Sequence, residues 1–113
     1  MQTADALSTT LAALADPTRR AILERLASGE ATVNTLAGPL KMSLPGVSKH
    51  LKVLQKAGLV VQRRDAQRRP CRLNAARLQD VAIWAERFRS NWEETFERLD
   101  QYLAEITVKG ESK

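Results

Sequence analysis

Helix start and stop signals follow one another closely in the first half of this chain and divide it into short segments. Asp16 is a good N-terminal cap, Pro17 suits the first helical turn, and Gly29 is expected to end that helix. Thr32 can cap a further helix, which the Gly-Pro pair at 38–39 is expected to end. The first half is therefore expected to fold mainly as short helices.

The stretch at 43–60, SLPGVSKHLKVLQKAGLV, predicts the next helix after a tight turn. Ser43 would cap it, Pro45 would lie in its first turn, and Gly58 would stop it. A helical wheel places Val47, Leu51 and Leu54 towards the core and Lys49, Lys52 and Lys56 on the opposite face. Two short helices joined by a tight turn, the second strongly basic, form a helix-turn-helix pattern.

A β-hairpin pattern comes next. The sequence LVVQRR at 59–64 is rich in strand-forming residues, RPCRLN at 69–74 is a plausible partner strand, and DAQR forms the charged tip. Pro70 is expected at the start of its strand or at a sheet edge, because it has no N–H to donate. The hairpin would be a wing beside the helix-turn-helix. The predicted fold class is thus mainly α with a small β-hairpin, a winged helix-turn-helix.

Apolar residues recur at steps of three and four in the first helix and again from about 75 to 107. One helix over the second range would extend about 50 Å, so it must overhang or break. The sequence SNWE at Ser90–Glu93 fits a capping box that would restart it. One small core cannot cover this stripe, so we predict that the first and last helices form a dimer interface with a second copy. The predicted interface residues are Leu7, Leu11, Leu78, Val81, Ala85, Phe88, Trp92, Phe96, Leu99 and Leu103.

Positive charge is concentrated in the middle of the chain. The net charge is +5 overall, but Lys41 to Leu73 holds nine Lys and Arg against one acid, Asp65, which gives +8. The remainder holds nine bases and twelve acids, which gives −3. A basic block beside a mildly acidic remainder is typical of a phosphate-binding surface, and an ordinary solvated face is the alternative.

Composition favours one domain over residues 1–113, with about 75–107 as its C-terminal helical dimerisation segment. The 43% apolar and 27% charged content is neither that of a disordered chain nor that of a membrane protein. No apolar run approaches the ~20 residues of a membrane span, and the N-terminus lacks the basic start of a signal peptide. The single cysteine, Cys71, excludes an internal disulfide and favours the cytoplasm.

The basic helix and the wing predict a surface for double-stranded DNA. Short side chains at the start of the helix at about 43–57 would let its backbone approach the major groove, while lysines reach bases or phosphates. Arginines of the wing, at about 60–73, suit minor-groove insertion and phosphate clamping. RNA is less favoured, because no aromatic residues are interleaved for base stacking. The predicted DNA-binding residues are Ser43, Pro45, Gly46, Ser48, Lys49, His50, Lys52, Lys56, Arg63, Arg64, Arg68 and Arg69.

His50 is the only histidine, and it lies on the border between the two faces of the basic helix. It could contact DNA, or it could be half-buried against the neighbouring helix. A metal site needs three or four ligands, and no second histidine is present, so no metal is predicted. No nucleophile, base and orienting group can be assembled around it either, so we predict no catalytic residue and no enzyme.

These residues resemble a known family. The stretches LADPTRRAILERLASGE and SLPGVSKHLKVLQKAGLV, followed by an arginine-rich hairpin, resemble the ArsR family of bacterial winged-helix transcriptional repressors from about Leu11 to Ile106. Trp84 and Trp92 look like the paired tryptophans of one subgroup. The resemblance implies a homodimer that binds a palindromic operator with one recognition helix per half-site, and it implies the helix and wing residues above as DNA contacts.

The chain also departs from the family pattern. Metal-sensing members carry a Cys-x-Cys motif at the third helix, where this chain has ATVNTL, and others place Asp and His on the last helix, where this chain has no histidine. No cofactor is therefore predicted, and a small-molecule inducer stays unknown. Two alternatives to the DNA-binding repressor remain: a winged-helix module for protein partners, and a thiol- or redox-sensing repressor in which neighbouring arginines favour the thiolate of Cys71.

Overall fold

The computed structural model describes residues 5–64 and 68–111, with side chains as far as residue 107. The chain forms two compact units, Met1–Val81 and Ala82–Lys113. Its elements are α1 (Ala6–Leu14), α2 (Pro17–Leu26), α3 (Val33–Leu40), α4 (Leu44–Lys56), β1 (Val60–Gln62), β2 (Cys71–Leu73), α5 (Ala76–Glu86) and α6 (Arg89–Glu111). This order of helices with one antiparallel hairpin confirms the predicted architecture, a helix-turn-helix followed by a wing.

Hydrogen bonds of the caps confirm three predicted helix starts. The Asp16 carboxylate accepts two backbone N–H groups in the first turn of α2, the shorter bond at 2.7 Å. The hydroxyl of Thr32 accepts the N–H of Thr35 at 3.2 Å in α3, and that of Ser43 accepts the N–H of Gly46 at 3.2 Å in α4. Each cap accepts a hydrogen bond from an N–H that has no acceptor inside its helix, and this bond fixes where the helix begins.

The core of the first unit is formed by the inner faces of four helices and the base of the hairpin. Its buried apolar residues are Ala13, Ile22, Leu23, Leu26, Ala31, Leu36, Ala37, Val47, Leu51, Leu54, Ala57, Leu59, Val60 and Cys71. In α1 the buried residues are Thr10 and Ala13, whereas Leu7 and Leu11 are half-buried. The Thr10 hydroxyl donates to the Ala6 carbonyl at 2.9 Å, so its burial leaves no unsatisfied polar group.

The end of α3 differs from the prediction. Gly38 and Pro39 do not stop the helix, which continues to Leu40. Pro39 lies in the last turn, where it removes a single donor, and Gly38 before it has no Cβ to clash with the proline ring. Lys41 then takes a left-handed conformation, with φ at 54°, and its N–H donates to the Gly38 carbonyl at 3.0 Å. The left-handed lysine therefore ends α3.

The hairpin is confirmed, and it is attached to the helices by an additional bridge. β1 and β2 are antiparallel, with Val61 opposite Arg72, and Pro70 is buried directly before β2 as predicted. The N–H of Ala31 donates to the Cys71 carbonyl at 3.1 Å, and the N–H of Cys71 donates to the Ala31 carbonyl at 2.8 Å. The wing is thereby hydrogen-bonded to the segment between α2 and α3. Of the predicted tip, residues 65–67 lie outside the described residues.

The C-terminal helical segment breaks, but α6 begins two residues earlier than the predicted capping box at Ser90 would start it. α5 ends at Glu86, and α6 begins at Arg89. The N–H of Phe88 donates to the Ala85 carbonyl at 3.0 Å, a tighter turn than an α-helix makes, and the Phe88 carbonyl already accepts the N–H of Trp92 at 2.9 Å. Ser90 therefore lies inside α6, and its predicted role as the cap is wrong.

The second unit carries an exposed apolar stripe. The exposed fraction is 49% for Trp92, 63% for Phe96 and 51% for Leu103. The rings of Trp84 and Phe88 pack edge to face with centroids 5.3 Å apart. The other predicted interface residues vary: Leu99 is exposed and Val81 and Ala85 are half-buried, while Leu78 packs against the core of the first unit.

Candidate nucleic-acid interface

α4 separates apolar and cationic side chains onto two faces. Val47 and Leu54 are fully buried, and Leu51 beside them is 3% exposed. The side chains opposite are the exposed amines of Lys49, Lys52 and Lys56. None of these amines forms an ion pair with a carboxylate in the described part of the chain. The buried face seats the helix on the core and leaves three positive charges directed at solvent, as a phosphate-binding helix requires.

The start of α4 is shaped by Gly46. A Cβ at this position would lie 3.1 Å from the Met42 side chain and 3.2 Å from the Ser43 hydroxyl, which is the cap of the helix. Any larger residue would therefore crowd the cap. Gly46 and Ser48 are half-buried and Pro45 is exposed, so the surface at this end of the helix is formed by small residues.

A groove with a volume of about 650 Å³ separates α4 from the wing. One wall is the start of α3, at Thr32–Thr35, and the other residues come from α4, β1 and the wing. Those residues are Ser48, Leu51, Lys52, Gln55, Gln62, Arg68 and Arg69. Three cationic side chains thus line one groove, and a duplex backbone lying along it would meet all three.

The four arginines of the wing do not have equal surroundings. Arg68 and Arg69 line the groove, and Arg64 is exposed. Arg63 instead donates to the Glu30 carboxylate at 2.9 Å. Both side chains of this pair are about half exposed, at 54% and 40%, so water and salt screen it strongly. Arg63, directly after β1, is therefore paired with a carboxylate.

Two glutamines connect α4 to the wing, and sequence reasoning did not identify them. The Gln55 amide donates to the Gln62 side-chain oxygen at 3.3 Å, and the Gln62 amide donates to the Arg69 carbonyl at 3.2 Å. Arg69 has φ at 45°, in the left-handed region that residues with side chains rarely adopt. No sequence signal marks such a chain of amides, because a glutamine at a helix end or strand end is ordinarily a solvated residue.

His50 is half-buried, and it faces α2. Its Nδ1 lies 3.4 Å from Nη1 of Arg19. Arginine has only donors, so a hydrogen bond in this contact can only run from Arg19 to Nδ1. Arg19 is itself held by α1, donating from Nε to the Ala13 carbonyl at 2.6 Å and from Nη2 to the Ala12 carbonyl at 3.2 Å. The histidine thus seats the recognition helix against α1 and α2.

The capping carboxylate of α2 belongs to the same cluster. Burial acts to raise the pKa of Asp16, but hydrogen bonds from the backbone N–H groups of Arg19 and Thr18 and the charges of His50 and Arg19 together lower that pKa. The carboxylate oxygen lies 3.8 Å from Nη1 of Arg19. Asp16 is therefore charged at neutral pH and holds the start of α2 beside the recognition helix.

Cys71 does not have the surroundings of a reactive thiol. Its side chain is fully buried, and this burial raises the pKa of the thiol. The expectation that neighbouring arginines favour its thiolate is therefore wrong. Arg72 points to solvent from the opposite face of the strand, because adjacent strand residues face opposite ways, and so its charge does not offset the loss of hydration.

Two further properties of the described residues bear on function. No three His, Cys, Asp or Glu side chains within 5–64 and 68–107 come together in a group that could hold a metal ion. None of the helices in the described ranges combines the length and the apolar character needed to span a membrane.

Fold and surface together define a winged helix-turn-helix transcriptional regulator, and comparisons with known proteins agree. A helix-turn-helix domain family matches residues 14–63. The HTH-type transcriptional regulator Rv2034 of Mycobacterium tuberculosis is 49% identical over 67% of this chain and 71% of its own length. The transcriptional repressor SdpR of Bacillus subtilis is 37% identical over 67% of this chain and 84% of its own length.

Solved structures agree with the sequence relatives. The ArsR family transcriptional regulator RHA00566 superposes with a TM-score of 0.72 at 37% identity, covering 79% of this chain and 98% of that one. The homodimeric winged helix-turn-helix DNA-binding domain Mb0332 of Mycobacterium bovis has a TM-score of 0.61 at 33% identity, covering 83% and 84%. The chain belongs to the ArsR family of winged helix-turn-helix transcriptional regulators, which confirms the resemblance seen in its sequence.

Proposed function

We propose that this regulator is a homodimeric repressor that binds a palindromic operator in double-stranded DNA. α4 enters the major groove as the recognition helix, and the wing contacts the adjoining backbone or minor groove. The observation that carries this proposal is the shared groove between α4 and the wing, where Lys52, Arg68 and Arg69 converge. Cations from two separate elements line the same groove. This arrangement is more typical of a surface that binds a continuous polyanion than of an ordinary solvated surface.

The parts of the surface have different tasks. Ser48 and Lys49, in the first turns of α4, are proposed to read base edges, and Lys52, Lys56 and Arg64 are proposed to neutralise phosphates. Small residues at the start of the helix allow its backbone to approach the groove floor. Ser43 and Gly46 act mainly by building that end of the helix, since the first caps it and the second leaves room for the cap.

His50 and Arg63 are the predicted contacts that the geometry supports least. His50 has its Nδ1 directed at Arg19, so only its Nε2 edge is left to reach a phosphate. Arg63 has a carboxylate partner in Glu30, and a DNA phosphate must compete with that carboxylate. We expect both residues to support the surface more than they contact DNA.

A second copy of the chain is proposed to cover the apolar stripe of the second unit. Trp92, Phe96, Leu99 and Leu103 are each about half exposed or more, and soluble monomers rarely leave a contiguous apolar patch of this kind uncovered. Binding to a palindromic operator would require the two recognition helices of a dimer to lie about 34 Å apart, one helical turn of DNA. The half-buried residues Leu7 and Leu11 of α1 are proposed to extend this interface.

Repression and a cytoplasmic location complete the proposal. A dimer that occupies an operator within a promoter excludes the transcription machinery from it, and SdpR, a relative in Bacillus subtilis, is named as a repressor. No enzymatic activity is proposed, because the relatives are named as transcriptional regulators. A bacterial operator lies in the cytoplasm, so the regulator is placed there as well.

Fluorescence anisotropy with DNA from upstream of the protein's own gene, against a scrambled duplex at moderate salt, tests the proposal. We expect clear preference for the natural sequence, and a loss of affinity of several-fold or more for Lys49→Ala and for Arg68→Ala. Arg87→Ala, which removes the same charge from an exposed position outside the surface, serves as the control. Equal affinity for both duplexes would contradict sequence specificity, and unchanged affinity in both surface variants would contradict the surface.

A further inference from the structure

We infer that Gln62 is a positioning residue, which holds the arginines of the wing at a fixed place relative to the recognition helix. The inference rests on the proposed DNA-binding function and adds a residue to it that lies between the two DNA-contacting elements. Gln62 is the last residue of β1, where the hairpin leaves its ladder and extends towards the tip.

The hydrogen bonds of Gln62 fix the orientation of its amide. The Arg69 carbonyl can only accept, so Gln62 must direct its NH₂ group there, at 3.2 Å. Its own side-chain oxygen is then directed at the Gln55 amide, 3.3 Å away in the last turn of α4. One side chain therefore bridges the recognition helix and the returning strand of the wing, with each polar group correctly matched.

Arg69 is a residue that needs such an anchor. It adopts φ of 45°, a conformation disfavoured for residues with a Cβ. The ladder beyond β1 and β2 ends with the Arg63 N–H donating to the Pro70 carbonyl at 2.8 Å. The Arg69 carbonyl lies one residue beyond that bond and accepts from Gln62, with a long contact from the Cys71 thiol at 4.0 Å.

Arg69, held in this way, and its neighbour Arg68 share their groove with the recognition helix. Arg68, Arg69 and Lys52 line it together, and Gln55 follows Lys52 by about one helical turn on α4. When Gln62 is removed, the arginines are no longer fixed relative to α4, and DNA must order them during binding at an entropic cost. Gln62 thus acts through the arginines of the wing and has no need to touch DNA.

A double-mutant cycle measured by fluorescence anisotropy on the full chain tests this inference. Gln62→Met keeps the length of the side chain and removes both hydrogen bonds. Both hydrogen bonds are exposed to water, so we expect it to weaken binding to the upstream duplex about two- to fivefold, the lower part of the range for a neutral hydrogen bond. In the Arg68→Ala/Arg69→Ala background the same substitution should change affinity less than about twofold, because the groups it positions are gone.

A second variant and a control complete the experiment. Gln55→Met breaks the other half of the bridge and should weaken binding in the same direction, and it keeps the inference testable should Gln62→Met fail to fold. Gln79→Ala, at an exposed glutamine of α5, should leave affinity unchanged. An equal loss in both backgrounds would mean that Gln62 contacts DNA itself and would overturn the inference, as would no loss in the native background. If the native protein shows no preference for its upstream DNA, that result contradicts the proposed function and not the role of Gln62.

Discussion

The side chain of Arg19 contacts α1 and the recognition helix from α2. Its removal should destabilise the first unit more than removal of the neighbouring Arg20 side chain. Its guanidinium donates to the carbonyls of Ala13 and Ala12 at 2.6 and 3.2 Å and lies 3.4 Å from His50. The side chain is only 17% exposed. The two carbonyls belong to the last turn of α1, where backbone oxygens lack the N–H of a following helical turn, and the Ala12 carbonyl also accepts the N–H of Ala15 at 3.2 Å.

The size of the effect follows from these contacts. Arg19→Met keeps most of the apolar stem and removes two hydrogen bonds from a charged donor, each with a net contribution of about 1.5–3 kcal/mol. Methionine recovers part of the packing, and water can reach only part of the vacated space. We therefore expect the free energy of unfolding to fall by about 2–4 kcal/mol.

Arg20→Met is the matched control, because Arg20 also donates to a carbonyl at the end of α1, that of Leu14 at 2.7 Å. Arg20 is exposed, so water replaces its hydrogen bond, and its loss should cost less than about 1 kcal/mol. Urea unfolding followed by circular dichroism, at one fixed protein concentration, measures both changes. Equal losses for the two variants would refute the argument that Arg19 seats α4.

Three further predictions concern the dimer interface, the stability of the fold at low pH and the thiol of Cys71. Phe96→Glu should convert the dimer to monomer in analytical ultracentrifugation, since it places a charge in the proposed apolar interface; an unchanged dimer would place the interface elsewhere. The pKa of Asp16 is lowered from its ordinary value of 3.8, so its charge contributes stability at neutral pH that is lost as the pH falls below 3.8 towards its folded value. Asp16→Asn, which can still cap α2, should flatten the stability profile there, and an identical profile would contradict this. Cys71→Ser should cost about 1–3 kcal/mol, because it buries a hydroxyl without a near acceptor, and the native thiol should resist iodoacetamide at pH 7 until urea unfolds the chain; rapid labelling would contradict its burial.

Local signals account for most of the fold that the sequence predicts. Asp16, Thr32 and Ser43 mark helix starts because a cap needs only its own side chain and the next turn. The buried and exposed faces of α4 follow in the same way from the spacing of Val47, Leu51 and Leu54. Such features depend on residues close together in the chain, so a single sequence reveals them.

The two helix boundaries that were predicted wrongly, the end of α3 and the start of α6, depend on the backbone conformation beside the sequence motif. The Gly-Pro pair at 38–39 carries a strong stop signal, yet a proline in a last turn costs little, and Lys41 supplies the end of α3. SNWE carries a strong start signal, yet the carbonyl of Phe88 had already begun α6. Each motif can also lie inside a helix, so its presence alone does not fix the boundary.

The parts of the candidate site that were missed are contacts between residues distant in sequence. Arg63 pairs with Glu30, His50 meets Arg19, and Ala31 bridges Cys71. No periodicity or motif links these positions, because they are brought together only by the packing of α4 on α2 and of the hairpin on the segment after α2. Charge counting found the surface, but only the fold distinguishes a cation that faces the groove from one with a partner.

The salt dependence of operator binding tests the central claim most directly. In a dimer, Lys52→Ala removes two proposed phosphate contacts, and each contact contributes about 0.9 to the slope of log K against log salt. We therefore predict a steep negative slope for the native protein and a slope shallower by about 1.8 for Lys52→Ala. Arg87→Ala should keep the native slope. A native slope near zero, or the same slope in native protein and Lys52→Ala, would contradict the account that the groove between α4 and the wing binds the DNA backbone.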